Sequence, residues 1–156
     1  MENIQLKSIG YIQHNKTESF IQLDKNYTAG LINLDDFSHI FILWYFNQSA
    51  PEQNKLIEES PYKNGPEIIG TFATRSQNRP NSIALSCVRI CDIDQKEGVI
   101  TVDYIDAEHG SSVIDIKPYT PSMDRVNNPQ VPKWCQNWPM SLEDSASFDW
   151  SNVFNF

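Results

Sequence analysis

Ile40-Phe41-Ile42-Leu43-Trp44-Tyr45-Phe46 is the longest apolar run in this chain of 156 residues. It is far short of the roughly 20 residues needed to span a bilayer. Ile40, Ile42, Trp44 and Phe46 alternate with Phe41, Leu43 and Tyr45, so both faces are apolar. That pattern predicts a strand buried in a barrel wall or beneath another layer, starting from His39. Working outward, residues 8–13, 19–23, 83–90, 99–105 and 113–116 are short, rich in Ile, Val, Phe and Tyr, and separated by turn residues, so they also read as strands. Helical signals are weak. Residues 51–59 are expected to form a short helix and 31–37 a single turn before the buried strand, and neither is long enough to cross over a parallel sheet. The fold expected from these segments is all-β, with short helical turns. Residues 64–70, with Gly65, Pro66 and Gly70, read as a loop.

A chain of this length fits one domain that buries about two-thirds of its unfolded surface. Its 40% apolar and 12% aromatic residues lie far from disordered composition. The net charge of -8 argues against a general nucleic-acid coat, because phosphate binding draws on clustered Lys and Arg. Any RNA contact is therefore local. Positive charge gathers at Arg75, Arg79 and Arg89; Arg125 is the fourth arginine. Cys87, Cys91 and Cys135 form neither a CxxC pair nor a zinc-like cluster, so reduced buried thiols and no metal are expected. No leader signature opens the chain, and a soluble cytoplasmic protein without membrane contact is expected. From Pro118 onward prolines interrupt regular structure, while Trp134, Trp138, Phe148, Trp150, Phe154 and Phe156 recur. Residues 126–156 are expected to be an extended tail packed on a barrel of residues 1–125 or on a dimer mate, since so many aromatics would otherwise lie in water.

Two segments carry chemistry. Phe72-Ala73-Thr74-Arg75-Ser76-Gln77-Asn78-Arg79-Pro80-Asn81-Ser82 sets two forked guanidiniums among hydroxyls and amides, with a turn at Pro80-Asn81, before the apolar strand. Guanidiniums match carboxylates and phosphates, and structural salt bridges to nearby acids would explain them equally well. In Val113-Ile114-Asp115-Ile116-Lys117-Pro118-Tyr119, alternation places Ile114 and Ile116 on one face and Asp115 and Lys117 on the other. An acid, an amine and a phenol then converge at a strand end, although a surface ion pair is the plainer account.

Together the segments resemble the TsaA-like family, also called TrmO after its tRNA methyltransferase members, in which F-A-T-R-S-x-x-R-P-N-P-I-G-L-S precedes D-I-K-P-Y. The similarity extends to Ile9-Gly10-Tyr11-Ile12 and Leu34-Asp35-Asp36-Phe37-Ser38-His39-Ile40, and covers about residues 4–125. The resemblance implies a small β-barrel that pairs as a homodimer, binds S-adenosyl-L-methionine and methylates N6 of the threonylcarbamoyl-modified adenosine at position 37, in the anticodon loop of tRNA. By position it implies cofactor contacts at Phe46, Asn47, Gln48, Arg75, Leu85, Asp103, Tyr104, Ile105 and Asp106. Arg79 and Asn81 would shape the substrate side. Methylating a poor urea-type nitrogen asks for a base or a stabilising cation, roles that fall to Asp115 as base or orienter and Lys117 as stabiliser, with Tyr119 positioning the base.

The chain departs from the family at four places. The Pro-Arg-Gln triplet usual after the first strand is absent. Asn47 stands where many members have His, and His109-Gly110-Ser111-Ser112 replaces Asp-Gly-Thr-Pro. Ser82 and Ala84 replace a proline and a glycine. These differences leave open a methyltransferase of the same fold acting on another small or nucleotide substrate, or a non-catalytic module that binds the cofactor or a nucleotide. His14 reads as a loop residue, His39 as a core histidine and His109 as a turn histidine.

Overall fold

The computed structural model describes residues 4–155. Six strands close into an antiparallel barrel in the order β1-β2-β7-β6-β3-β8. They are β1 (Gly10–His14), β2 (Ser19–Leu23), β3 (His39–Tyr45), β6 (Ile83–Asp94), β7 (Val99–Val102) and β8 (Ser112–Pro118). β4 (Ile57–Glu59) and β5 (Ile68–Gly70) form a separate hairpin. The mainly-β expectation holds.

Strand β3 sits between β6 and β8. Ile40, Ile42 and Trp44 point inward and are almost fully buried, joined by Ile12, Ile21, Val88, Ile100 and Val113. Phe41, Leu43 and Tyr45 form a half-buried outer face. Closure depends on β6, whose 12 residues outrun any single partner. Its first half pairs with β3 and its second half with β7, and the register breaks between Ile90 and Asp92. A bulge of this kind bends a strand and lets one element turn the corner of a barrel.

Three expectations need correction. Residues 51–59 do not form a helix: Ile57–Glu59 finds a strand partner in Ile68–Gly70, with Ile69 buried beneath the hairpin. Cross-strand pairing outweighs weak helix propensity there, and the loop expected over 64–70 ends in β5 for the same reason. Strand alternation in β8 also fails at one residue. Opposite Leu43 and Trp44 the register passes from Asp115 to Val113, so Ile114 is the extra residue of a bulge. Val113 and Ile116 face the core, while Asp115 and Lys117 share the outer face as expected. The turn expected over 31–37 is present as a 3-10 turn at Leu34–Asp36, and a longer 3-10 segment at Lys25–Leu31 precedes it.

The tail carries short helices at Pro121–Asp124 and Leu142–Ala146. Its aromatic residues gather around Tyr62 in the β4–β5 loop. Trp134 stacks on Tyr62 with ring centroids 4.7 Å apart, and Trp138 meets the same ring edge-on at 5.2 Å. Trp150 packs on Trp138 and Phe148. Backbone bonds from Lys63 to Val153 and from Asn155 to Pro61 join tail and loop. Phe156 lies outside the described residues. Among the described residues, no helix is long and apolar enough to cross a membrane.

The cysteines report on this packing. Cys91 is exposed, against the expectation of buried thiols, Cys135 is buried, and burial, followed by Asp124, Asp103 and Glu143, pushes the Cys87 thiol up from its ordinary value. Thiolate is the reactive form, so iodoacetamide is expected to modify Cys91 at least tenfold faster than the other two. Peptide mass spectrometry over a labelling time course checks this, and Trp138→Ala is expected to accelerate Cys135 selectively.

Candidate functional site

A cleft of about 250 Å³ opens at one end of the barrel, lined by Trp44, Phe46, Gln48, Ser49, Gln77, Asp106, Ala107, Glu108 and Ser111. Three pieces of chain make it: the end of β3 with the residues after it, the segment between β7 and β8, and the arginine-bearing loop. Trp44 and Phe46 lie ring to ring at 4.4 Å, and the Trp44 indole N–H donates to Ser86 Oγ at 3.0 Å. The charged groups of the lining are Asp106 and Glu108, both acids. Aromatic faces beside two carboxylates suit a ligand with a flat ring and a positive centre, and they disfavour a phosphate.

The wall formed by residues 106–112 is tied down from several sides. Gln48 Nε2 donates to Gly110 O at 2.8 Å, Asn47 Nδ2 to the same oxygen at 3.4 Å, and Ser112 N–H donates to Asn47 Oδ1 at 2.8 Å. Gly110 has φ of 86° with Gln48 Nε2 3.0 Å from where a Cβ would stand, so glycine suits this turn. Asn47 and Gln48 therefore build the wall as much as they face the cleft. Of the expected run 103–106, only Asp106 lines it. Asp103 accepts from the Arg89 and Tyr104 amides and pairs with Arg89 Nε at 3.7 Å. Ile105 is packed into the core, and Tyr104 is exposed.

The arginine loop is internally organised. Arg79 donates from Nε to Ser76 O at 2.6 Å and from Nη2 to Thr74 O at 2.6 Å and Thr71 O at 3.3 Å. Glu58 accepts from the Thr74 and Ser76 hydroxyls. Across the cleft, Ser49 Oγ donates to Gln77 Oε1 at 2.6 Å, and Glu52 N–H donates to Asn78 Oδ1. Asn81 is exposed at the turn. Ser82 is fully buried with φ of 36°, its amide and hydroxyl both donating to Arg79 O. A proline ring, fixed near φ of about -65°, cannot take this conformation. Ser82→Pro is expected to cost roughly 3 kcal/mol, from the strain and the lost hydrogen bond together. Urea denaturation checks it, with Ser82→Gly expected near wild type.

Arg75 reaches away from the cleft: Nη1 donates to Leu85 O at 3.3 Å. Leu85 pairs with Leu43, and Leu43 with Asp115, so these three form one row on the outer face. Cys87, Phe41 and Lys117 form the next row. Lys117 Nζ lies 2.7 Å from Asp115 Oδ2, and the Tyr119 ring packs on Phe41 at 5.8 Å and on His39 at 6.4 Å. The expected residues thus divide. Phe46, Gln48 and Asp106 meet at the cleft, whereas Arg75 and Leu85 lie with Asp115, Lys117 and Tyr119 on the outer face.

Residue patterns alone missed Trp44, Ser49, Gln77, Ala107, Glu108 and Ser111 in the cleft lining. Trp44 reads as core in an apolar strand. Gln77 stands next to the marked arginines, and its place in that segment was the available signal. Among the described residues, no group of three or more His, Cys, Asp or Glu side chains gathers as a metal site would require.

Comparison with known proteins gives a consistent picture. Residues 10–125 match the family model described as the tRNA-methyltransferase O N-terminal domain. A probable S-adenosyl-L-methionine-binding protein of Pyrococcus abyssi is 32% identical over 114 residues, covering 73% of this chain and 59% of that protein. A human tRNA (adenine(37)-N6)-methyltransferase is 36% identical over 102 residues, covering 65% of this chain and 22% of the human one. The crystal structure of TrmO from Pseudomonas aeruginosa superposes with a TM-score of 0.64 at 26% identity, over 83% of this chain and 62% of that one. The chain therefore spans less than two-thirds of the length of each of these three proteins.

Proposed function

This chain belongs to the family of the tRNA-methyltransferase O N-terminal domain, and from that premise we propose that it is an S-adenosyl-L-methionine-dependent methyltransferase acting on adenine N6 in tRNA. The observation that carries the reading is the cleft: its rings and its two acids fit an adenosyl group and a sulfonium, and it lies within the matched residues 10–125. When bound, the cofactor supplies an electrophilic methyl group. Phe46 and Trp44 offer it aromatic surface, Asp106 and Glu108 face its positive charge, and Gln48 and Asn47 hold the wall in place.

The substrate side follows from the outer face next to the cleft, since Leu43 pairs with Asp115 and the neighbouring Trp44 lines the cleft. We assign Asp115 to receive or hold the proton of the target nitrogen, Lys117 to stabilise the negative charge left on the base, and Tyr119 to position the base. Arg75 and Asn81 present a local donor patch to the anticodon-loop backbone, from a loop that Arg79 keeps in shape. Such a patch suits a chain whose net charge is -8 and whose RNA contact must be confined. The threonylcarbamoyl-modified adenosine at position 37 is the finer substrate we assign. Residues 1–125 act as the catalytic barrel and 126–156 as an extension bracing the β4–β5 loop. A homodimer is the assembly we assign, and the cytoplasm, where tRNA is used, is the compartment.

A second reading, a methyltransferase of the same barrel with a different small or nucleotide substrate, draws on the acidic surface and on Ser82 taking a backbone closed to proline. Purified protein with methyl-labelled S-adenosylmethionine and tRNA carrying the modified adenosine decides between them. Label recovered in the N6-methylated nucleoside by mass spectrometry supports the first reading. Cofactor binding by calorimetry without label in tRNA leaves the second, or a non-catalytic binding module.

A further inference from the structure

We propose that His14 is a positioning residue for the cofactor, acting through the cleft wall that carries Asp106, Ala107 and Glu108; this rests on reading the cleft as the cofactor site. His14 ends β1, and its half-buried ring bridges two parts of the barrel rim. Nε2 lies 2.7 Å from Ala107 O and Nδ1 lies 2.9 Å from Ser19 Oγ. A carbonyl oxygen can only accept, so Nε2 donates to Ala107 O, while the Ser19 hydroxyl pairs with Nδ1. The partners thus fix one ring orientation.

The main chain of the same residue acts nearby. His14 N–H donates to His109 Nδ1 at 3.2 Å, so one residue grips the wall on both sides of Glu108. Other bonds hold the far end: Gly110 N–H to Ile12 O at 2.8 Å, and Ser111 N–H to Glu108 O at 3.1 Å. At the near end, His14 is the hydrogen-bond partner of the Ala107 carbonyl among the described residues. Asp106 and Glu108 flank that carbonyl and face the cleft. Releasing it lets both carboxylates drift, and a displacement of about 1 Å is enough to weaken binding to a rigid ligand.

The test compares His14→Ala, His14→Gln and Ser19→Ala with wild type by calorimetry with S-adenosylmethionine, steady-state methylation and amide exchange across residues 106–112. Gln can still donate from its side-chain amide to Ala107 O. His14→Ala is expected to raise the Kd and the KM for the cofactor about tenfold, the scale of one ordinary hydrogen bond, with kcat within about twofold. Exchange at Gly110 and Ser111 is expected to quicken in the free protein. His14→Gln is expected to recover most of both effects, with Ser19→Ala intermediate. Unchanged affinity in His14→Ala overturns the inference, as does equal damage in Ala and Gln variants that merely melt earlier. A wild-type protein that takes up no S-adenosylmethionine overturns the functional reading and this inference with it, whereas wild-type uptake with an indifferent His14→Ala overturns this inference alone.

Discussion

Asp115→Ala is expected to lower kcat for methyl transfer roughly a thousandfold, within the range that a positioned acid or base contributes. The carboxylate stands on the outer face of β8, with Oδ1 accepting from the Ile116 amide and Oδ2 against Lys117 Nζ. Both side chains of that pair are about half exposed, so the ion pair contributes only about 0–1 kcal/mol to folding. The melting temperature should accordingly move by no more than a few degrees. Asp115 is absent from the cleft lining, so the Kd for S-adenosylmethionine should stay within about twofold of wild type. Asp115→Asn separates the roles. The amide oxygen still accepts from Ile116 but takes no proton, so a general base leaves this variant as slow as Ala, whereas an orienting role leaves it substantially active. Single-turnover methylation of modified tRNA reads the rate directly, and a kcat for Asp115→Ala within tenfold of wild type removes Asp115 from the mechanism.

That the two charges share a face was legible in the residues, because strand alternation needs no tertiary information. The bulge at Ile114 was not, since it arises from closing β8 against both β1 and β3. β3 was legible for the same local reason, its two apolar faces matching a buried inner face and a half-buried outer one. The hairpin of β4 and β5 was hidden, because Ile57–Glu59 is too short to show a period and becomes a strand only opposite Ile68–Gly70. The site shows the same division. Phe46, Gln48 and Asp106 were named from the family pattern and reach the cleft, while Asp103 and Ile105 turn to the rim and the core. His14 looked like a loop residue because its partners, Ser19 and Ala107, come from elements that only barrel closure brings to it.

Arg79→Met is expected to destabilise the protein by about 3 kcal/mol, because three backbone carbonyls lose charge-assisted donors in a part-buried loop. For a chain of this size that corresponds to a melting temperature lower by roughly 6–12 °C. Sequence reasoning set Arg79 toward the substrate; the geometry points its Nε and Nη2 inward, at Ser76, Thr74 and Thr71. Arg79→Lys discriminates between the two roles. An ammonium retains the charge that a phosphate contact uses, but one point donor cannot span carbonyls arranged for a planar fork. If Arg79 is a loop clamp, Lys melts nearly as early as Met, and cofactor affinity falls in both because Gln77, carried on the same loop, lines the cleft. Calorimetric melting with binding titrations on both variants reads these quantities. A wild-type melting temperature in Arg79→Met, with tRNA affinity alone reduced, would return this residue to the substrate surface and remove it from the loop's framework.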